Sequence, residues 1–324
     1  MLRMQKKLLL ACVSGLIVGL LFFYSNSVNQ YISVMKSAVD KVNSRSEGSL
    51  REKIENWKKI KDEQPIDAYV DRIWKAIPGY NGREVDVKAS LKHMSEHKLD
   101  TEKGLIFREV PPSVTLEQLG AYPIYRGNPK KPAVSFMINV AWGNEFLDRM
   151  LDTLDKYQIK TTFFLDGSWV KKYPELARKI KDRGHEIANH AYSHPDMAQL
   201  GAERIQQEIG KTQDIIEQTT GVKPTLFAPP SGSFSDQVVQ IARNGFHMKT
   251  ILWTADTVDW QKPSASTVIE RIEPKLDNGV LVLMHPTQAS SDALEALIKI
   301  AKKRRLTITT VSEVISSNRM NESY

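Results

Sequence analysis

The run His185-Glu-Ile-Ala-Asn-His190-Ala-Tyr-Ser-His194-Pro-Asp196 joins an apolar, strand-like stretch to two imidazoles four residues apart and stops at a proline. Imidazole nitrogens are common ligands of zinc and other divalent ions, so His190 and His194 could hold one ion from a single segment. Such a pair usually sits on a helix, but Pro195 pushes His194 away from helical backbone, which places the pair in a loop leaving a strand. The bland alternative is one hydrogen-bonded and one exposed loop histidine. The choice depends on what other groups converge there.

The elements that would bring such groups together begin after Arg126-Gly-Asn-Pro-Lys-Lys-Pro132. Strand-like runs at 133–141, 160–166, 185–191, 225–228, 248–255, 280–285 and 306–310 alternate with amphipathic stretches at 145–157, 169–183, 202–220, 235–244, 267–276 and 292–304. Regular alternation implies a parallel sheet with helices outside, either open and doubly wound or closed as a (β/α) barrel. In both, ligands bind at the C-terminal ends of the strands. The residues at those ends are Asn139 with Trp142 and Glu145, then Asp166, His190 with His194, Pro230, Asp256 with Asp259 and Trp260, and His285. Polar groups from five or six strands therefore meet on one rim, the arrangement expected of a functional site.

With 324 residues, 41% hydrophobic and 26% charged, the chain can form one large domain and a smaller one. A formal charge of +7 points to an acidic neighbourhood, such as an anionic envelope polymer or a lipid surface. Nucleic acid is not expected as a partner, because zinc-finger, RNA-binding aromatic and concentrated basic patterns are missing. Arg3, Lys6 and Lys7 precede an apolar run from Leu8 to Tyr24, which reads as a secretory signal or a signal anchor. Ser25-Asn-Ser27 would permit cleavage, but an uncleaved anchor is preferred because a polar, helix-prone stretch suited to a stalk follows. The basic flank keeps the N-terminus inside, so the remainder faces outward. The expected organisation is a signal anchor or signal peptide at 1–27, a stalk at 28–64, a small α/β module at 65–127 and the main domain at 131–316. Within the stalk, Val34, Val39, Val42, Ile54, Trp57 and Ile60 are too sparse for a core, and within the module a helix is expected over 68–77. The single cysteine, Cys12, lies in the apolar run, so the exported part has no intramolecular disulfide.

Five blocks, in this order and spacing, resemble the polysaccharide deacetylases with a NodB-homology domain, carbohydrate esterases on a distorted (β/α) barrel. They are Lys160-Thr-Thr-Phe-Phe-Leu-Asp-Gly167, Gly184-His-Glu-Ile-Ala-Asn-His190-Ala-Tyr-Ser-His194, Phe227-Ala-Pro-Pro-Ser-Gly232, Trp253-Thr-Ala-Asp256-Thr-Val-Asp259-Trp260 and Leu281-Val-Leu-Met-His285-Pro286. The likeness covers about 131–314, and the Trp142-Gly-Asn-Glu145 variant with an anchored N-terminus resembles a branch of spore-forming bacteria often linked to sporulation. The resemblance implies removal of acetyl groups from an N-acetylated, peptidoglycan-like cell-wall glycan. It implies a zinc or other divalent ion held by one aspartate and the pair matching His190 and His194. A second aspartate would act as base on the metal-bound water, and His285 as acid, oriented by Asp256 or Asp259. Trp142, Pro230 and Trp260 are expected to contact the glycan.

The chain departs from that pattern where the family reads Thr-Phe-Asp-Asp-Gly. Asn139 stands at the position of the base and Val140 at that of the metal-binding aspartate. An amide is no general base at neutral pH, and an isopropyl group binds no cation. Ala228 and Ser231 stand where the family has arginine and tyrosine, so the base and its brace are missing together. Three readings follow. An atypical N-deacetylase would hold metal weakly and use Glu145 or Asp166 as base. A membrane-tethered glycan-binding or scaffold protein would not hydrolyse. A structural exported domain would use the rim for nothing. The chemistry favours the second, with zinc bound weakly or not at all.

Overall fold

The computed structural model describes residues 2–23 and 25–320. Met1 and Tyr24, both in the expected apolar segment, lie outside the described residues, as do 321–324. The chain divides into two compact units, one of Met1–Asp62 with Glu84–Arg108 and one of Glu63–Arg83 with Glu109–Tyr324. Residues 65–127, which the sequence presents as one small module, are shared between them.

In the first unit, α1 (Leu2–Phe23) contains a window, Met4–Leu21, long and apolar enough to cross a membrane, and none of it is buried. Next comes α2 (Asn26–Lys61), the expected polar helix. Its C-terminal end has a core after all: Ile54 is fully buried with Val85, Met94 and Leu105, and Leu50 and Trp57 pack around them. Those partners come from 31 or more residues further along, so a scan of the helix alone finds too few apolar residues. Asp86 caps α3 (Val87–His97) by accepting from the Ala89 N–H at 2.9 Å.

The second unit opens with β1 (Tyr69–Asp71) and β2 (Lys75–Ile77), an antiparallel hairpin where the sequence predicts a helix. Val70, Ile73, Trp74 and Ile77 have helical spacing, but turn chemistry overrides it. The Asp71 carboxylate accepts from the N–H groups of Ile73 and Trp74, both at 2.7 Å, and Lys75 takes a left-handed φ of +57°. Along the chain, β3 (Gly82–Val85) and β4 (Phe107–Val110) each include residues of both units.

The parallel sheet comprises β5 (Ala133–Val140), β6 (Thr162–Leu165), β7 (Glu186–Asn189), β8 (Leu226–Phe227), β9 (Lys249–Thr250), β10 (Ala255–Asp256) and β11 (Leu281–Met284). Its order is β10-β11-β5-β6-β7-β8-β9, and β12 (Thr307–Ile308) pairs beside the start of β5. The helices between strands are α4 (Asn144–Lys156), α5 (Gly167–Lys172), α6 (Pro174–Asp182), α7 (Ala202–Thr220), α8 (Asp236–Phe246), α9 (Ala265–Ile272) and α10 (Gln288–Lys303), with α11 (Val311–Ile315) last. This is the distorted (β/α) barrel that the alternation and the resemblance implied. The expected single strand over 248–255 is two strands that do not pair with each other, leaving the sheet open. Ile124 is stitched in at that opening, its N–H donating to the Thr250 carbonyl at 2.9 Å and its carbonyl accepting from Leu252 at 2.8 Å.

The central strand β5 is buried along its whole length, so its two faces must each have a core. Val134, Phe136, Ile138 and Val140 point into the apolar layer under the helices, with Leu147, Leu151, Leu294 and Leu297. Ala133 and Met137 point the other way, into the barrel interior with Phe164, Ala188 and Leu281. Ser135 faces inward too, its hydroxyl 3.3 Å from that of Thr161. The two-residue period of a strand then fixes Asn139 on the inner face and Val140 on the outer one.

Candidate functional site

Where the inner face reaches the rim, a cavity of about 380 Å³ opens beside Asn139. Trp142, Trp253 and Trp260 contribute aromatic wall, and His194, Asp256, His285 and Ser231 contribute polar groups, with Leu283 beside them. The segments after β5, β7, β8, β10 and β11 thus share one pocket. The sequence singled out every one of these residues except Trp253 and Leu283. Trp253 sits in a block that was quoted and Leu283 in a strand, but neither has a local signal that it lines a cavity.

Asn139 is only 3% exposed, and its Oδ1 has no partner within the protein. Ala228, where the resemblance would place a bracing arginine, is fully buried and reaches nothing polar with its methyl group.

His190 lies just beyond β7 and is buried, with Nδ1 2.7 Å from the Ala228 carbonyl. That bond assigns the proton to Nδ1 and leaves Nε2 as the lone-pair nitrogen. Burial first, and the neighbouring His194 next, push its pKa down to about 3, against the effect of the Ala228 bond. The imidazole is therefore neutral across the physiological range. His194 is exposed, in left-handed backbone at φ +53°, and its ring meets that of His190 edge-on at 5.4 Å. The loop between them is anchored by the buried Glu208 of α7, whose carboxylate accepts from the N–H groups of Tyr192 at 2.8 Å and Ser193 at 2.9 Å.

The donor set does not fit a hydrolytic divalent ion. Two imidazoles are present, the third position is Val140, and Val140 is packed in the outer apolar layer. Among the described residues, no group of three or more His, Cys, Asp or Glu side chains is placed to share a metal. Catalytic zinc normally has three protein ligands.

The His285 side of the rim is well supported. Asp259, fully buried, accepts from His285 Nδ1 at 2.8 Å, from the His285 backbone N–H at 2.7 Å and from the Ser290 hydroxyl. Burial opposes its ionisation, but the bonds from His285 and Ser290 outweigh it and hold the carboxyl below its ordinary range. Asp256, the other proposed partner of His285, lines the cavity and accepts from the Val258 N–H at 2.7 Å instead. Trp142 lies flat on His285, ring centroids 5.7 Å apart and planes at 12°. Gly143 makes that possible: its φ is +84°, and a Cβ there would stand 1.9 Å from the Pro286 carbonyl oxygen. Gly232, beyond Pro230, similarly leaves room for the Trp253 ring, which a Cβ would approach to 2.8 Å.

Neither substitute base lines the cavity. Glu145 is exposed on the first turn of α4. Asp166 is buried and caps α5, accepting from the Trp169 N–H at 2.9 Å and from the Ser168 hydroxyl, and burial raises its pKa. Both bonds fall on one oxygen, Oδ1, which holds a helix end.

Residues 126–247 match the family described as Polysaccharide deacetylase. The chain is 50% identical over 257 residues to "Uncharacterized protein YlxY" of Bacillus subtilis (strain 168), covering 79% of this chain and 80% of that one. It is 30% identical to "Peptidoglycan-N-acetylmuramic acid deacetylase PdaC" of the same organism, over 81% of this chain and 56% of that one. Among solved structures, wild-type BA3943 of Bacillus anthracis, described as a CE4 family pseudoenzyme, superposes with a TM-score of 0.79 at 44% identity, over 84% of this chain and 96% of that one. A mutant of BA3943 described as having restored enzymatic activity superposes equally, with a TM-score of 0.79 at 42% identity, over 83% of this chain and 99% of that one. With the barrel, the paired histidines and the Asp259–His285 couple in place, the chain belongs to the polysaccharide deacetylase family, carbohydrate esterase family 4.

Proposed function

We propose that this chain is a non-hydrolytic, glycan-binding member of the peptidoglycan deacetylase family, tethered to the membrane by α1 with its barrel on the cell-wall side. One observation carries the reading: Asn139 faces the cavity at the position of the base, while Val140, at the position of the third metal ligand, is buried in the opposite layer. The position of the base then carries no proton acceptor for water, and the third ligand position carries no metal donor. The aromatic wall and the supported His285 remain, which suits binding without turnover. Cell-wall glycan as the ligand follows from relatives named as peptidoglycan deacetylases.

The test is metal analysis of the purified full chain beside an acetate-release assay and a pull-down on cell-wall glycan, with membrane fractionation of the same chain. Capture of glycan with no stoichiometric metal and no acetate is expected, from a membrane-associated chain. Zinc-dependent acetate release, abolished by His190→Ala, would instead establish an atypical deacetylase.

A further inference from the structure

The helix α3 carries a second pair of histidines, His93 and His97, within Lys92-His93-Met94-Ser95-Glu96-His97-Lys98. Residues four apart on a helix are neighbours on one face. Met94 anchors the helix in the core around Ile54, while His93 is half-buried and His97 exposed. Each ring is held through Nδ1: that of His93 lies 3.0 Å from the Gly104 carbonyl, and that of His97 lies 2.9 Å from the His93 carbonyl. A carbonyl only accepts, so both Nδ1 atoms carry the proton and both Nε2 atoms keep the lone pair. Neither Nε2 has a hydrogen-bond partner among the described residues. Gly104 lets its carbonyl come so close, since a Cβ there would stand 2.6 Å from Met94 Cγ and hold the turn Glu102–Gly104 off the helix.

An imidazole that donates one ring N–H to a backbone carbonyl and leaves the other nitrogen free is oriented as metal-ligating histidines are. The two ring centroids are 4.6 Å apart. Two imidazoles at right angles around one ion, each nitrogen about 2.0 Å from it, have ring centres about 4.5 Å apart. His97 is in the last turn of α3, where the helix dipole favours a cation, and Lys92 and Lys98 partly oppose it.

We propose that His93 and His97 form a surface site for copper(II), bound through both Nε2 atoms with water completing a square-planar shell. Copper(II) takes nitrogen ligands at right angles and stands highest in the affinity order of the divalent first-row ions. Zinc follows it and is normally held by three or more protein ligands, so it is not expected here. With two protein ligands on an exposed face the ion exchanges freely and is held only when copper is supplied. The site belongs to the first unit and does not depend on the glycan-binding reading.

The experiment titrates copper(II) into the untagged full chain in mild detergent, with glycine as competing chelator, and reads the bound ion by electron paramagnetic resonance. A copper signal with two equatorial imidazole nitrogens is expected. His93→Asn and His97→Asn should each weaken binding at least about tenfold, since loss of even a group that supports a metal-bound histidine costs that much. His247→Asn, at the exposed end of α8, should leave it within about twofold. Binding by the His97→Asn chain as tight as by the unmodified one overturns the site, as does a signal with fewer than two imidazole nitrogens or no binding above that of glycine. Loss of the signal on His194→Asn but not on His97→Asn would put the copper on the other histidine pair and overturn it equally.

Discussion

Asp259 holds His285 at both ends, accepting from its ring Nδ1 at 2.8 Å and from its backbone N–H at 2.7 Å. The carboxylate fixes the tautomer, the orientation of the ring and the start of the loop after β11 together. Trp142 stacks on the face of the same ring. His285 thus keeps its support although Asn139 and Val140 stand in the first block, which is consistent with the proposal of a rim retained for binding.

Asp259→Asn should cost about 2–3 kcal/mol, because an amide offers one carbonyl where three donors now meet a carboxylate. Denaturant unfolding measures it. The sign of the pH effect follows from the lowered folded-state pKa: Asp259 stabilises the fold above the unfolded value of about 4, and that contribution is lost as pH falls through the folded value. The variant should therefore show a flatter acid limb below about pH 4. An unchanged acid limb would mean that this carboxylate contributes nothing to the linkage.

Asn139→Asp combined with Val140→Asp supplies one carboxylate as base and one as metal ligand. The second must be placed in the outer apolar layer or turn back toward His190 and His194, so the zinc-free double variant should lose roughly 3 kcal/mol or more. Zinc should then raise its melting temperature, by the mass action of binding to the folded state, and leave the parent unmoved. Acetate release is expected from the double variant alone and not from Asn139→Asp, limited by Ala228 in place of an arginine. Equal zinc stabilisation of the parent would overturn the two-ligand account. The restored activity described for a BA3943 mutant shows that a similar fold can regain chemistry.

Gly143→Ala should destabilise by about 2–4 kcal/mol, combining left-handed backbone with a clash on the Pro286 carbonyl. Because Gly143 adjoins Trp142, the substitution should also displace that ring from His285 and weaken glycan binding severalfold. Tryptophan emission and a glycan titration report the two effects. Full stability with unaltered emission would show that the approach to Pro286 is not as tight as the geometry indicates.

Much of this was legible in the sequence. Alternation of strand-like and helical stretches sufficed for a parallel sheet with helices outside, because each segment carries its own periodicity and its own caps, and the order of the five blocks pointed to the barrel form of it. Pro195 sufficed to put His194 in a loop. The basic flank before Leu8 and the apolar run marked α1. The departures at Asn139 and Val140 could be named by position, since they lie in a block whose neighbours were intact.

What tertiary structure alone decided has one physical cause: facing and partnership are set by contacts distant in sequence. The run Ala133-Val-Ser-Phe-Met-Ile-Asn-Val140 is nearly all apolar, so no alternation indicates which residue points inward. Pairing with β6 and β11 turns Asn139 to the cavity and Val140 to the helices. Ile54 is core only because Val85, Met94 and Leu105 come back to it. The segment 69–77 has the spacing of a helix, yet Asp71 and pairing across the turn make it a hairpin. Asp259 rather than Asp256 supports His285 because of where the chain turns after β10, a choice that two aspartates three residues apart cannot express by themselves.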